Sequence, residues 1–332
     1  KTGDRRKHMD NLNRIQFATP SLDALTSRYT VVDLHFHSHF SDGADAVDDI
    51  AQRARQLGIG VAITDHNAIG GAVELDSHDD VFSIPGIEVT SREGTHVLVY
   101  FYRIDDLKAF YAADVKPHMG STVMSSIALD VESIVQRARK YNSVVIFPHP
   151  YSAAFTGICN HSFSESQLNR LLRIADGVEV INSENLKRWN LKSALLGFNL
   201  SRVITGGSDG HSVQQMGSAV TYATCDRSRK AFLDAVSRKA VKVVGSESKL
   251  FNKIQSNGAK LKNSINNYPD LVEKNIRFGK SVIRFRTRKA AERIWQRIND
   301  KHLKKAFYFV AGLTFLKLNF NALPLLAFSL IT

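Results

Sequence analysis

Cysteine is scarce in this chain: Cys159 and Cys225 are the only two in 332 residues. They stand far apart and form neither a CxxC pair nor a zinc-finger spacing, which excludes those motifs, and a reducing compartment is the default. A secretory signal is missing from the N-terminal stretch, and a cytoplasmic location is expected. Residues 1–9 are polar and basic and begin without Met; they are expected to be left over from cloning or an internal cut, outside the fold. Net charge is missing from most of the chain. Residues 1–248 carry 27 Lys+Arg against 28 Asp+Glu, a net of −1, whereas residues 249–332 carry 17 against 4, a net of +13. The basic excess therefore sits in the last quarter, and composition places a domain boundary near Lys249.

What is present suits a large folded unit. Apolar residues make up 43% of the chain, enough for a sizeable core, and the length accommodates one barrel or α/β domain plus an appendage. The organising stretch is residues 33–43, Asp-Leu-His-Phe-His-Ser-His-Phe-Ser-Asp-Gly. It follows the apolar pair Val31-Val32 and reads as a strand whose C-terminal end is crowded with metal-ligand side chains. Residues two apart on a strand share a face, so His35 and His37 present both imidazoles to one side. Taken alone, such a pair reads more readily as a solvated or core histidine pair. The later clusters tip the balance toward metal.

Residues 45–57 have a 3.6-residue apolar period, with acids early, arginines late and Gly58 as C-cap, and predict a helix. Strands are expected at 59–64, ending in Thr64-Asp65-His66-Asn67, and at 82–89, ending in Gly86-Ile87-Glu88-Val89. A turn at 92–94 leads to a strand over 96–102 that starts with His96. Helix 130–141 is capped by Asp130, and strand 144–147 ends in Pro148-His149-Pro150. A capping box, Ser164-x-x-Gln167, opens a helix to Ile174. Strand 177–181, helix 184–196 and strand 202–205 follow, the last ending in Gly206-Gly207-Ser208-Asp209-Gly210-His211. Helix 231–237 and strand 241–244 close the series. This alternation argues for parallel βα units and a barrel. Polar residues recur just after strands, where the C-terminal ends of barrel strands open onto one face.

Nine candidate ligands emerge: His35, His37, Asp42, His66, Glu88, His96, His149, Asp209 and His211. They are too many for one ion. Without cations their carboxylates would form a costly like-charged cluster. Mixed histidine and carboxylate sets suit zinc, manganese or iron, and two or three divalent ions is the expected number.

The motifs Asp-Leu-His-Phe-His-Ser…Ser-Asp-Gly, Ile-Thr-Asp-His-Asn, Gly-Ile-Glu-Val, Pro-His-Pro and Gly-Ser-Asp-Gly-His occur in this order over roughly residues 31–246. The set resembles the PHP (polymerase and histidinol phosphatase) family of metal-dependent phosphoesterases. The resemblance implies a distorted (β/α)7 TIM-like barrel with a trinuclear site at the strand C-termini. It implies that His35, His37, Glu88 and Asp209 hold one ion, that Glu88 bridges to a second held by His96 and His149, and that Asp42, His66 and His211 hold a third. Asp42 and the Thr-Asp-His-Asn run resemble the subgroup acting on nucleotides and short oligonucleotides. Histidinol-phosphate and protein-tyrosine phosphatases of the same family are the alternatives, and a non-catalytic membrane- or nucleic-acid-binding module is a third.

Phosphate esters resist hydroxide because their oxygens repel it; paired ions bind those oxygens, acidify a bridging water and stabilise the leaving oxygen. Catalysis is therefore assigned to Glu88, His211 and Arg92, with attack by a metal-bridging hydroxide. Arg92 is expected to grip a phosphate oxygen with its fork of donors, the alternative being a turn arginine in solvent. Asn67, Asn182 and His161 are further candidates for substrate binding. Asp33 and Asp65 are expected to support neighbouring ligands.

Residues 249–305 carry Arg284, Arg286, Arg288, Arg293 and Arg297 among helically spaced apolar residues. They read as a basic helical segment, suited to packing on the barrel, gripping a nucleic-acid backbone or contacting anionic lipid. Residues 306–332 are apolar but broken by Lys317, Asn319 and Asn321. A central lysine costs roughly 2.5–3.5 kcal/mol on insertion, so a re-entrant or interfacial hairpin, or an oligomer contact, fits better than a single span. The expected layout is thus an extension over 1–28, the phosphoesterase barrel over 29–248, the basic segment and the apolar segment. The expected partners are a phosphorylated small molecule or short oligonucleotide and possible membrane contact through 249–332, with no protein partner identifiable.

Overall fold

The computed structural model describes residues 14–152, 156–160 and 163–247. Ten strands are formed among them: β1 (Ile15–Phe17), β2 (Thr30–Phe36), β3 (Gly60–Ile63), β4 (Gly86–Thr90), β5 (His96–Phe101), β6 (Ser143–Phe147), β7 (Gly177–Asn182), β8 (Val203–Gly207), β9 (Ala219–Ala223) and β10 (Lys242–Gly245). β2, β3, β4, β5, β7, β8 and β9 are buried along their whole lengths. Strands covered on both faces carry near-continuous apolar runs instead of alternation, as in Val31-Val32 and Val61-Ala62-Ile63. A polar residue inside such a run is therefore either hydrogen-bonded or functional.

The strands form two five-stranded sheets, ordered β1-β10-β9-β2-β3 and β4-β5-β6-β7-β8. The expectation of uniformly parallel βα units is corrected here. β2–β3, β6–β7, β7–β8 and β1–β10 are parallel, but β4–β5, β5–β6, β2–β9 and β9–β10 are antiparallel. Between β4 and β5 the reason is chain length: residues 91–95 make a turn, and a parallel return needs a crossover of a dozen or more residues. The ladders do not run continuously round a closed barrel. Isolated parallel bridges, Phe36↔Gly210, Val61↔Ser83 and His66↔Glu88, lie between the two sheets. The fold is mixed α/β.

Eight α-helices accompany these strands among the described residues: α1 (Leu22–Thr26), α2 (Val47–Leu57), α3 (Gly70–Asp76), α4 (Ile104–Phe110), α5 (Val131–Ala138), α6 (Glu165–Ile174), α7 (Lys187–Leu200) and α8 (Arg229–Ser237). Their caps follow the sequence. Gly58 closes α2 at φ 65°, a left-handed conformation that suits glycine. The Asp130 side chain accepts from Ser133 N at the start of α5, and Ser164 and Gln167 form the reciprocal capping box of α6. α7 begins three residues later than its pattern suggests, because Asn185 N donates to Asn182 Oδ1 at 3.1 Å and holds a turn there. Pro85, which lacks an N–H, keeps residues 82–85 out of β4. Strands β1 and β9 and helices α1, α3 and α4 have no counterpart in the sequence reading.

Among the described residues no helix is long and apolar enough to cross a membrane. The basic segment 249–305, the apolar segment 306–332, and His161 lie outside the described residues.

Candidate metal centre

β2 delivers the first two ligands. Its pairing with β3 shifts register between Asp33 and Phe36, and its end is zipped to the segment after β8: Asp209 N donates to His35 O at 2.8 Å and His37 N to Gly210 O at 2.9 Å. Gly207 lets these chains approach, since a Cβ there would stand 2.4 Å from that of His35. Asp33 is fully buried and accepts from Ser208 N at 2.8 Å and Gly217 N at 2.9 Å, fastening both flanks of this contact. Burial pushes its carboxyl up to about 6 against those hydrogen bonds. Asp65 accepts from Ser38 N, Ser38 Oγ and Ser41 Oγ, each at 2.7 Å, and so shapes the turn that carries Asp42. Both aspartates have the supporting roles expected of them.

Glu88 stands at the middle of five imidazoles and is 1% exposed. Its Oε1 lies 2.9 Å from His96 Nδ1, 3.4 Å from His149 Nε2 and 3.5 Å from His35 Nε2. Its Oε2 lies 3.1 Å from His66 Nδ1 and 3.6 Å from His37 Nε2. Asp209 Oδ1 is 3.1 Å from His37 Nε2 and 3.4 Å from His35 Nε2. Asp42 Oδ2 is 3.1 Å from His211 Nε2, and its Oδ1 is 3.6 Å from His37 Nδ1 and 3.7 Å from His66 Nε2. All nine residues nominated as ligands thus converge. Glu88 lies within β4 and His96 opens β5, so the ligands are not all placed just after strands. Antiparallel pairing of Thr90 with His96 brings those two strand ends together.

Four groups of ligand atoms lie within 4.8 Å of one another: His35–Glu88–His149, His35–His37–Asp209, His37–His66–Glu88 and His37–Asp42–His211. This grouping divides the residues differently from the sets the resemblance implies, with His66 beside Glu88 and His149 beside His35.

The donor set fits divalent cations. Both Glu88 oxygens, His35 Nε2, His37 Nδ1 and His66 Nδ1 are buried without a hydrogen bond, which polar atoms tolerate poorly unless something else meets them. Ligand atoms about 2.1 Å from one ion stand about 3.0–3.4 Å apart in octahedral or tetrahedral arrangement, the spacing seen here. Burial disfavours charge on Glu88, Asp42 and Asp209, yet the surrounding histidines hold all three carboxyls well below the usual range. Burial likewise opposes charge on His35, but Asp209, Glu179 and Glu88 lift its pKa well above the usual value. His66 is driven well below by burial, with His37 and His96 adding to it. Ionised carboxylates and a neutral imidazole are the ligand forms a metal requires.

Glu179, in the run Gly-Val-Glu-Val-Ile of β7, was missed from the sequence. It is buried and accepts from His35 Nδ1 at 3.0 Å, His149 N at 2.9 Å and Asn182 Nδ2 at 2.9 Å. Holding the Nδ1 proton of His35 leaves Nε2 directed at the cluster. His211 is fixed in the same way, by Nδ1 donating to Asp209 O at 2.8 Å. The signal available was a lone glutamate in an otherwise apolar strand. Glu179→Gln is expected to weaken metal affinity by about 10–100-fold while leaving the fold intact. Calorimetric metal titration beside a thermal melt checks this, and unchanged affinity would remove Glu179 from the centre.

The expected substrate contacts fare differently. Asn67 is completely buried; its Nδ2 donates to Val123 O at 2.7 Å and Ser125 O at 2.8 Å, and its Oδ1 accepts from Thr90 N at 2.9 Å. Its amide is saturated by backbone, so it pins the 123–125 segment to β4 and has nothing left for substrate. Arg92, with a side chain 63% exposed, pairs with Asp130 at 3.3 Å; its fork is turned to α5 and not to the cluster. Asn182 donates from Nδ2 to Asp209 Oδ2 at 3.1 Å as well as to Glu179, and so braces two carboxylates of the centre. Three residues here, Asn67, His149 and Asp209, have φ of 45°, 27° and 53°, a strained backbone region that concentrates at functional sites. Cys159 is no nucleophile at neutral pH, because burial pushes its thiol up to about 12.

The PHP domain pattern matches residues 33–192, which contain seven of the nine ligands. The chain is 26% identical over 166 residues to an uncharacterized protein of Methanocaldococcus jannaschii, covering 46% of this chain and 81% of that protein. It is 37% identical over 93 residues to a 3',5'-nucleoside bisphosphate phosphatase of Chromobacterium violaceum, covering 26% of this chain and 32% of the phosphatase. A lesion-specific endonuclease from Pyrococcus furiosus superposes with a TM-score of 0.52 at 18% identity, covering 65% of this chain and 57% of that one, and shares the fold. The motifs, the fold and the converged histidine–carboxylate cluster agree: the chain carries a PHP domain over residues 33–192, the domain of a family of metal-dependent phosphoesterases.

Proposed function

We propose that this phosphoesterase acts on nucleotides or short oligonucleotides; Glu88, ringed by five imidazoles, is the observation that carries the metal-dependent hydrolysis. His35, His37, Asp42, His66, Glu88, His96, His149, Asp209 and His211 would hold the divalent ions. When bound, such ions neutralise phosphate oxygens and make a water acidic enough to attack at neutral pH. The chain's own part is positional. Glu179 and the Asp209 carbonyl aim His35 and His211; Asn182 braces Asp209; Asp33 and Asp65 fasten the loops that carry ligands. Burial of the cluster keeps bulk water from screening its charges. Arg92 could reach substrate only by leaving Asp130, and Asn67 serves the scaffold.

The nucleotide preference rests on the likeness to the bisphosphate phosphatase, strengthened by the endonuclease that shares the fold. A distorted (β/α)7 barrel is the architecture we assign; the three bridges between the sheets support it, with antiparallel pairs as the distortion.

The test is metal content together with hydrolysis of a nucleoside bisphosphate, a short oligonucleotide, histidinol phosphate and a phosphotyrosine peptide, with manganese, iron or zinc supplied. More than one ion per chain and fastest turnover of the first two substrates is the expected result. Metal binding with preference for either of the last two would replace the nucleotide reading. Failure to bind metal would overturn the centre itself.

A further inference from the structure

Beside the metal centre lies a cluster that the proposed chemistry does not use. Lys192, on α7, places its ammonium 4.6 Å from the Trp189 ring centroid and 5.7 Å from that of Tyr151. The Arg188 guanidinium lies 5.4 Å from the same indole. Lys187, Arg188 and Lys192 are exposed, Trp189 and Tyr151 half-buried, and none of the three cations pairs with a carboxylate among the described residues. The Trp189 Nε1 donor is buried without a hydrogen-bond partner.

This cluster is tied to the ligands from two directions. Tyr151 follows the ligand His149 by two residues, which limits the separation of their Cα atoms to about 7 Å. Asn190, next to Trp189, clasps both backbone groups of Asn182: its Oδ1 accepts from Asn182 N at 3.2 Å and its Nδ2 donates to Asn182 O at 2.8 Å. The Asn182 side chain in turn donates to Asp209. Asn185 links the two arms, donating from Nδ2 to Tyr151 O at 2.6 Å. Buried asparagines therefore tie the backbone at Tyr151 and the start of α7 to the strand that carries Asn182.

We propose that Tyr151, Trp189, Lys192 and Arg188 form the subsite for the heterocyclic base of a nucleotide whose phosphate lies at the metal centre. The inference rests on the phosphoesterase reading and adds where the base is recognised. Aromatic faces backed by cations are the surfaces on which bases stack without sequence preference. Lys192 and Arg188 add positive potential for the remaining phosphates of an oligonucleotide.

The test compares adenosine 5'-monophosphate with ribose 5-phosphate, which keeps the sugar and phosphate but lacks the base. Stacking of one base contributes about 1–3 kcal/mol, so the wild type should favour the nucleotide in kcat/KM by roughly 5–150-fold. Trp189→Phe should reduce that ratio several-fold, and Trp189→Ala should bring it close to one with ribose 5-phosphate turnover unchanged. A ratio that survives Trp189→Ala, or equal loss on both substrates, would overturn the subsite. An independent readout is quenching of intrinsic fluorescence by adenosine, which has no phosphate and needs no turnover. Quenching in the wild type that disappears in Trp189→Phe supports the subsite even if neither phosphate is hydrolysed, which would defeat only the hydrolase reading. No quenching in the wild type, or undiminished quenching from Trp295 in the variant, counts against it.

Discussion

Glu88→Gln is expected to lower phosphate-ester hydrolysis by about a thousandfold or more, a loss of ~4 kcal/mol in transition-state stabilisation. Five imidazoles face the two oxygens of this carboxylate at 2.9–3.6 Å. Glutamine is close to isosteric, so packing changes little. It removes the negative charge that offsets divalent cations, however, and replaces one acceptor oxygen with an NH2 group that cannot ligate. Since Glu88 belongs to two of the four ligand groups, one substitution damages more than one ion position. The expected observation is a fall in bound metal together with turnover, with circular dichroism like that of the wild type. A folded Glu88→Gln protein that keeps full metal content and rate would refute the placement of Glu88 at the heart of the site.

The second large effect is that of chelation. Removing the ions should reduce hydrolysis to background and lower thermal stability, because a ligand present at a thousand times its Kd stabilises the native state by about 4 kcal/mol. For a domain of this size that corresponds to a fall in Tm of roughly 8–16 °C. The pH dependence should differ in sign between the two forms. Without metal, protons on His35 and His37 stand in for the cations, and both rings have raised pKa values. A group with a raised folded pKa contributes stability that is complete below its unfolded value, 6.5 for histidine, and is lost as pH rises through the folded value. The chelated protein should therefore become less stable as pH rises above neutrality, while the loaded protein holds its stability. Conversely, metal affinity should fall on acidification, by about tenfold per pH unit for each ring whose proton must be displaced. Melts with and without chelator across this range decide the matter; parallel curves would mean that the rings do not exchange protons for metal.

By itself, the sequence determined the candidate ligands and most of the helices. His35 and His37 share a face because the strand period is two, and the caps at Gly58, Asp130 and Ser164 are local chemistry readable within four residues. Such features depend on neighbours along the chain, which is why they were legible. Tertiary structure alone decided the rest. Whether β4, β5 and β6 run antiparallel, and that β9 slots between β2 and β10, depends on pairing between distant segments, which local periodicity does not encode. Asn67 lies beside His66 and looks available for substrate, yet the packing of residues 123–125 against it consumes every amide group it has. Arg92 is drawn away by Asp130, 38 residues further on. Glu179 acquires its purpose only because the backbone of His149, the ring of His35 and the amide of Asn182 close around it. The sequence named the atoms able to bind cations; the fold selected which buried carboxylate would aim them.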